Sequence, residues 1–270
     1  MRICQKCNEE FEGKCTINGK KRDIYHRNYC LTCYPLASIS DEKLTNIQEQ
    51  ILNGHLLGDG GITKGNKNSS FGITRKDTDK NYILWTVKNF ENFIYSTGVN
   101  YNQTLDKRSN KIYSSVYFQT KVHPIFTEYR KKWYPEDKKI VPKDLILTPL
   151  TIAVWFADDG FLFQSSRNNL RMTLATNGFR HEDVLHLQNQ LVNMYGNKVK
   201  IREQTIGGFM ILSYDTNTVS KIITDIYPVF PPLNRKLKIL DNCDKIELNC
   251  KIDDYVMPDI NFCEKIKLSH

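Results

Sequence analysis

Apolar residues recur at helical spacing through Leu44, Ile47, Ile51, Leu52 and Leu56, the stripe that marks one face of an amphipathic helix. Ser40 or Asp41 stands where a cap would start it, and Gly58, Gly60 and Gly61 stop it just after Leu57. A second apolar run, IAVWFADDG, covers 152–160 and also closes on a glycine. Each run leads into a stretch that reads as strand, FGITRK at 71–76 and RMTLAT at 171–176. A polar-started amphipathic helix follows each time, over about 79–95 and about 181–195, with Gly98 and Gly196 as its punctuation. Two strands come next, KIYSSVYFQT being the clearer of the first pair and VKIREQ with FMILSY forming the second. A last helix then runs to Trp133-Tyr134-Pro135 or to Ile226-Tyr227-Pro228. The order helix, two strands, helix, two strands, helix thus occurs twice, offset by about one hundred residues, which predicts a duplicated α+β unit.

The residues before this repeat form a different block, Cys-rich and basic, ending at Tyr34-Pro35. The expected division is therefore 1–38, 39–147, 148–240 and a tail at 241–270 without a usable motif. Five of the eight cysteines lie in the first block. Cys4-x-x-Cys7 and Cys30-x-x-Cys33 have the paired spacing of a tetrahedral structural zinc site. Cys15 and His26 lie between the pairs as substitute ligands, and zinc would supply folding free energy that so small a block cannot draw from a core. Cys243, Cys250 and Cys263 lack ligand spacing and read as partly buried thiols.

Composition changes the picture in three ways. Forty per cent hydrophobic residues support real cores and exclude wholesale disorder. A net charge of +8 favours a polyanionic partner. No run approaches the ~18 apolar residues of a membrane span and the N-terminus lacks a secretory core, so an intracellular protein without membrane contact is expected, cytoplasmic, nucleoid-associated or organellar.

The candidate chemistry sits at the two helix ends. Gly54 and Gly58 share one helical face, and Ala153 and Ala157 repeat that spacing in the second copy, so the two helices can pack closely. Packed in parallel, they would bring Asp59 and Asp159 side by side. Two adjacent carboxylates repel unless a cation lies between them, and hard oxygen ligands imply Mg²⁺. The backbone carbonyls of Gly58 and Asp158 are candidate additional ligands. One Asp-Gly after an apolar helix is an ordinary stop signal; the matched pair, 100 positions apart, carries the inference.

These segments, LNGHLLGDG and IAVWFADDG, resemble the signature of the LAGLIDADG homing endonucleases over about residues 41–240. The resemblance implies two pseudo-symmetric αββαββα halves whose sheets form a saddle, with Asp59 and Asp159 binding the catalytic metals. It also implies a basic residue near each centre, Lys139 in KKIVP and Lys236 in NRKL. The first copy departs at Leu57, where the signature has an acid, and the small residues of the second copy are shifted by one position.

The implied activity is Mg²⁺-dependent double-strand cleavage of a long non-palindromic DNA site by a monomer, leaving short 3′ overhangs. The same fold would serve a maturase binding group I intron RNA, or a catalytically silent DNA-binding regulator. A twisted ribbon fits the major groove. Lys198, Lys200 and Arg202 share one strand face, as do Tyr117 and Gln119, and Arg75, Lys107, Arg108 and Arg171 are further candidate DNA contacts. A merely solvated sheet face would alternate in the same way.

Overall fold

A computed structural model of the chain describes residues 1–5, 7–17, 20–23, 30–32, 42–94, 98–164, 169–205 and 207–242. It divides into two units, Met1–Lys43 and Leu44–His270. The expected Cys33, His26, the Ser40 and Asp41 caps, and Cys243, Cys250 and Cys263 lie outside the described residues. Among the described residues, no helix is long and apolar enough to cross a membrane.

In the first unit, β1 (Arg2–Ile3) pairs with β2 (Glu10–Phe11), and β3 (Lys14–Ile17) pairs with β4 (Lys20–Asp23). Asn8, at a φ of 58°, turns the chain between β1 and β2, its N–H donating to the Cys4 carbonyl at 2.9 Å. Asn is among the few residues that take this conformation readily.

The second unit contains both halves. The first runs α1 (Asn46–Leu57), β5 (Gly61–Thr63), β6 (Ser70–Lys76), α2 (Lys80–Asn89), β7 (Asn100–Asp106), β8 (Lys111–Gln119) and α3 (Pro124–Trp133). The second repeats the order as α4 (Pro149–Asp159), β9 (Gly160–Gln164), β10 (Leu170–Ala175), α5 (His181–Tyr195), β11 (Val199–Glu203), β12 (Phe209–Ser213) and α6 (Thr216–Ile226). Each half forms an antiparallel four-stranded sheet with one topology, β5-β6-β8-β7 and β9-β10-β12-β11.

Helix starts follow local chemistry. Thr45 caps α1, its hydroxyl accepting from Gln48 N while Gln48 Oε1 accepts from Thr45 N at 2.9 Å, a reciprocal pair that places the start after the expected Ser40 or Asp41. Thr148 caps α4 with Pro149 in the first turn. The helix expected over about 79–95 ends at Asn89 and gives way to a 3-10 turn at Glu91–Phe93. Its terminal Asn89 carbonyl accepts from Gln48 Nε2 of α1 at 2.6 Å, so a tertiary donor takes over from the next turn.

The core is built around α1 and α4. Ile51, Leu52 and Leu56 of α1 and Ile152, Val154, Trp155 and Phe156 of α4 are fully buried, and one continuous apolar cluster joins both halves. Gln50 O accepts from Thr151, a Cβ on Gly54 would lie 2.6 Å from Val154 Cβ, and one on Gly58 would lie 2.4 Å from Asp158 Cβ. These contacts advance in the same direction along both helices, so α1 and α4 run parallel. Glycine at 54 and 58 permits the approach.

Candidate active site

Parallel packing brings the C-terminal ends of α1 and α4 together, and with them Asp59 and Asp159. Gly60 and Gly160 follow, and each sits where a Cβ would strike its own helix, against His55 Cβ at 2.7 Å and Phe156 Cδ2 at 2.1 Å. The glycine after each acid is thus required by close approach rather than by a turn conformation.

The acids are strongly coupled. Burial, then Asp59 and then Asp158, raise the Asp159 carboxyl from the usual 3.8 to about 6. Burial and Asp158 also raise Asp59, although Arg75 pulls the other way. Carboxylates held this close at a half-exposed site are a donor set for a hard divalent cation.

Each centre carries a lysine on matched atoms. Lys139 Nζ donates to the carbonyls of Gly58 and Gly60 at 3.1 and 3.0 Å. Lys236 Nζ donates to those of Asp158 and Gly160 at 3.4 and 2.5 Å. The carbonyls of Gly58 and Asp158, candidate metal ligands by sequence, are therefore lysine acceptors here, with a second lone pair remaining on each oxygen. Burial lowers Lys139 to about 8, against the opposing pull of Asp158, Asp159 and Asp59. Burial and then Arg75 also lower Lys236.

Beneath the acids lies a polar network that the sequence does not announce. Asp158 is buried and accepts from Tyr82 OH at 2.9 Å, with His55 Nδ1 also 2.9 Å away and the far ring nitrogen of His55 bonded to Thr86. Arg75 pairs with Asp59, lies 3.6 Å from Asp158 and 3.4 Å from Asp79. Asp79 in turn receives a bidentate pair from Arg235 at 2.8 and 2.7 Å. Although burial opposes it, the Arg235 pair and then Arg75 hold Asp79 below the usual carboxylate range.

Arg75 corrects an expectation. The sequence makes it a candidate DNA contact, yet its side chain is only 7% exposed. Strand pairing explains this: Arg75 lies opposite the buried Val116, whereas Thr74 lies opposite Tyr117 and Gly72 opposite Gln119. Side-chain period is two, so Arg75 points to the helix side and its neighbours to the open side.

The other expected contacts are distributed over the two open faces. Tyr117 and Gln119 line a cleft of about 410 Å³ together with Asp59, Thr63 and Thr74. Lys107 and Arg108 occupy the exposed tip between β7 and β8. Arg171 lies opposite Phe163, and Lys200 and Arg202 lie opposite Leu212 and Met210, with Lys198 exposed just before β11. Asp159 shares a second cleft with Lys139, Ala175, Thr176 and Asn177.

Three of the expected zinc ligands, Cys4, Cys7 and Cys30, have their sulfurs within 4.8 Å of one another in the first unit. Cys15, on β3, is not part of that group among the described residues.

Duplicated αββαββα halves, parallel helices meeting at paired acids, and sheets open on one side define the class of fold. Residues 49–221 match the LAGLIDADG DNA endonuclease family, and the chain belongs to that family. The chain is 33% identical over 156 residues to a probable intron-encoded endonuclease of Wickerhamomyces canadensis, covering 55% of this chain and 65% of that protein. It is 30% identical over 154 residues to the cytochrome b mRNA maturase bI2 of Debaryomyces hansenii, covering 55% of this chain and 57% of the relative. Among solved structures, the homing endonuclease I-WcaI bound to its DNA recognition sequence aligns with a TM-score of 0.64 at 24% identity, over 73% of this chain and 88% of that one. The α+β fold with two antiparallel sheets is shared.

Proposed function

We propose that this chain is a divalent-metal-dependent, site-specific DNA endonuclease that acts as a monomer inside the cell, on a long non-palindromic duplex. The observation that carries the reading is the convergence of Asp59 and Asp159, each beside a lysine and each opening onto a sheet face. The carboxylates of Asp59 and Asp159 would hold Mg²⁺, with the Gly58 and Asp158 carbonyls as further oxygen donors. Bound there, the cation would supply Lewis acidity toward a phosphoryl oxygen and a more acidic water.

The chain's own groups do the rest. Lys139 and Lys236 bring positive charge to the place where the phosphoryl group gains negative charge, and their burial strengthens that effect. Arg75 orients Asp59 and neutralises the acids around it. Because the halves differ in sequence, the site they read is asymmetric, and the paired centres would make staggered nicks with short 3′ overhangs and 5′-phosphates. Cys4, Cys7 and Cys30, with Cys33, would hold structural zinc in the first unit.

A second reading is an intron RNA-splicing maturase, favoured by the similarity to the Debaryomyces hansenii protein. The two are separated by selecting cleaved sites from a randomised duplex library with Mg²⁺, wild type beside Asp59→Asn and Asp159→Asn. The nuclease reading expects one long asymmetric site, cut with a 3′ stagger by wild type and bound but uncut by both variants. Absence of metal-dependent cutting from a fully sampled library, with splicing of a group I intron RNA stimulated instead, would transfer the assignment to the maturase.

A further inference from the structure

The halves share a topology but differ in chemistry at the sheet positions nearest the acids. In the first half Gly61 lies opposite Gly72 and Thr63 opposite Ser70. The matching positions of the second half, counted from Asp59 and Asp159, set Phe161 opposite Thr173 and Phe163 opposite Arg171. Small and hydroxylic groups on one side are thus replaced by two aromatic rings and an arginine on the other.

These rings lie on the open face. Leu162 and, on the neighbouring strand, Leu170, Met172 and Leu174 fill the core side, so by strand alternation Phe161 and Phe163 point away from the helices. Phe161 is 60% exposed, and the two rings stack at 5.7 Å with planes 19° apart. The Arg171 guanidinium lies 6.0 Å from the Phe163 ring centre and 4.7 Å from that of Tyr214, whose hydroxyl accepts from Arg202 at 3.2 Å. The ring pair is thereby held at one edge of the sheet, linked through Arg171 and Tyr214 to Arg202, while Lys198 and Lys200 are exposed at the opposite edge. The first half presents Thr74, Tyr117 and Gln119 instead, and Gln119 Nε2 donates to Ser70 at 2.7 Å.

In the major groove the one apolar group on a base-pair edge is the thymine C5-methyl; the rest are hydrogen-bond donors and acceptors. We propose that the second half recognises thymine methyl groups through Phe161 and Phe163 in the base pairs beside the cleavage centre, whereas the first half reads its side through hydroxyl and amide groups. The proposal rests on the endonuclease reading and adds to it the chemistry of the target. It favours DNA over RNA, because uracil lacks the methyl and the A-form major groove is too deep and narrow for side chains to read.

The test uses the full chain and binding alone, with divalent cation withheld. Duplexes are selected from a random library by wild type and by Phe161→Ser, and each thymine of the wild-type site is then replaced by deoxyuridine. The expected result is thymine enrichment beside the centre on one side only. Deoxyuridine there should weaken binding about three- to tenfold, as loss of a buried methyl implies, and Phe161→Ser should lose both the enrichment and the sensitivity. Specific binding with no thymine beside the centre, or with deoxyuridine tolerated throughout, overturns the proposal while leaving the endonuclease reading intact. Failure to bind any duplex selectively, with tight binding of single-stranded RNA that depends on Phe161, overturns both and marks the rings as a base-stacking platform.

Discussion

At the scale of single residues, the centre is organised by charge. Asp159 titrates near 6 when folded and near 3.8 when unfolded, so the folded state holds the extra proton between those values. Stability contributed by that proton is present below pH 4 and is lost as pH rises through 6. Asp159→Asn should therefore stabilise the protein by about 1–2 kcal/mol at pH 7, after allowance for solvent screening, and by almost nothing at pH 4. Denaturant midpoints at the two pH values check this, and equal effects at both would contradict a raised carboxyl. Arg75 behaves oppositely. It compensates Asp59, Asp79 and Asp158 from a buried position, so Arg75→Met should cost about 3–5 kcal/mol by stranding these carboxylates. A surface DNA contact would weaken binding on replacement and leave the unfolding temperature alone, so calorimetry without DNA separates the two roles.

At the scale of elements, much was legible from periodicity. The α5 span of His181–Tyr195, the β8 and β11 alternation, and the repeated order of elements follow directly from local spacing. At α2 a long-range contact intervenes, Gln48 reaching across from α1 to the Asn89 carbonyl where the helix ends. The start of α1 is instead set locally, by the Thr45–Gln48 capping pair. Asp79 illustrates the limit well. It stands in the cap position of α2 but makes no side-chain cap bond, because its carboxylate is committed to Arg235 and Arg75. The α1–α4 contact yields its own test. Gly54→Ala would drive a methyl into Val154 Cβ and the Thr151 carbonyl, and the expected loss is about 1–3 kcal/mol. Val154→Ala should not restore it, since the obstructing Cβ is retained. Full rescue in the double variant would show that the helices adjust by side-chain movement alone.

At the scale of the whole molecule, the two units make separate predictions. Among the described residues of Met1–Lys43 the sulfurs of Cys4, Cys7 and Cys30 lie together, while Leu44–His270 has a continuous core. On the zinc reading proposed above, metal chelation, or Cys4→Ser, should unfold the first unit and leave the main unfolding transition of the second within about 1 kcal/mol of wild type, since each unit carries its own stabilising contacts. Hydrogen exchange resolved along the chain would report this, and a joint collapse would mean that the two fold as one.

The sequence by itself determined the duplication, the helix and strand order, the acids at the helix ends and the paired cysteines. These are patterns within a turn or a strand, or spacings that repeat, and local backbone geometry enforces them. Only the tertiary structure decided that Arg75 points inward, that Asp158 is held between His55, Tyr82 and Arg75, and that Arg235 reaches Asp79 across 156 positions. Strand register flips a residue between faces with a shift of one. Pairing between distant charges leaves no periodic mark along the chain, because it depends on which surfaces the folded core brings together.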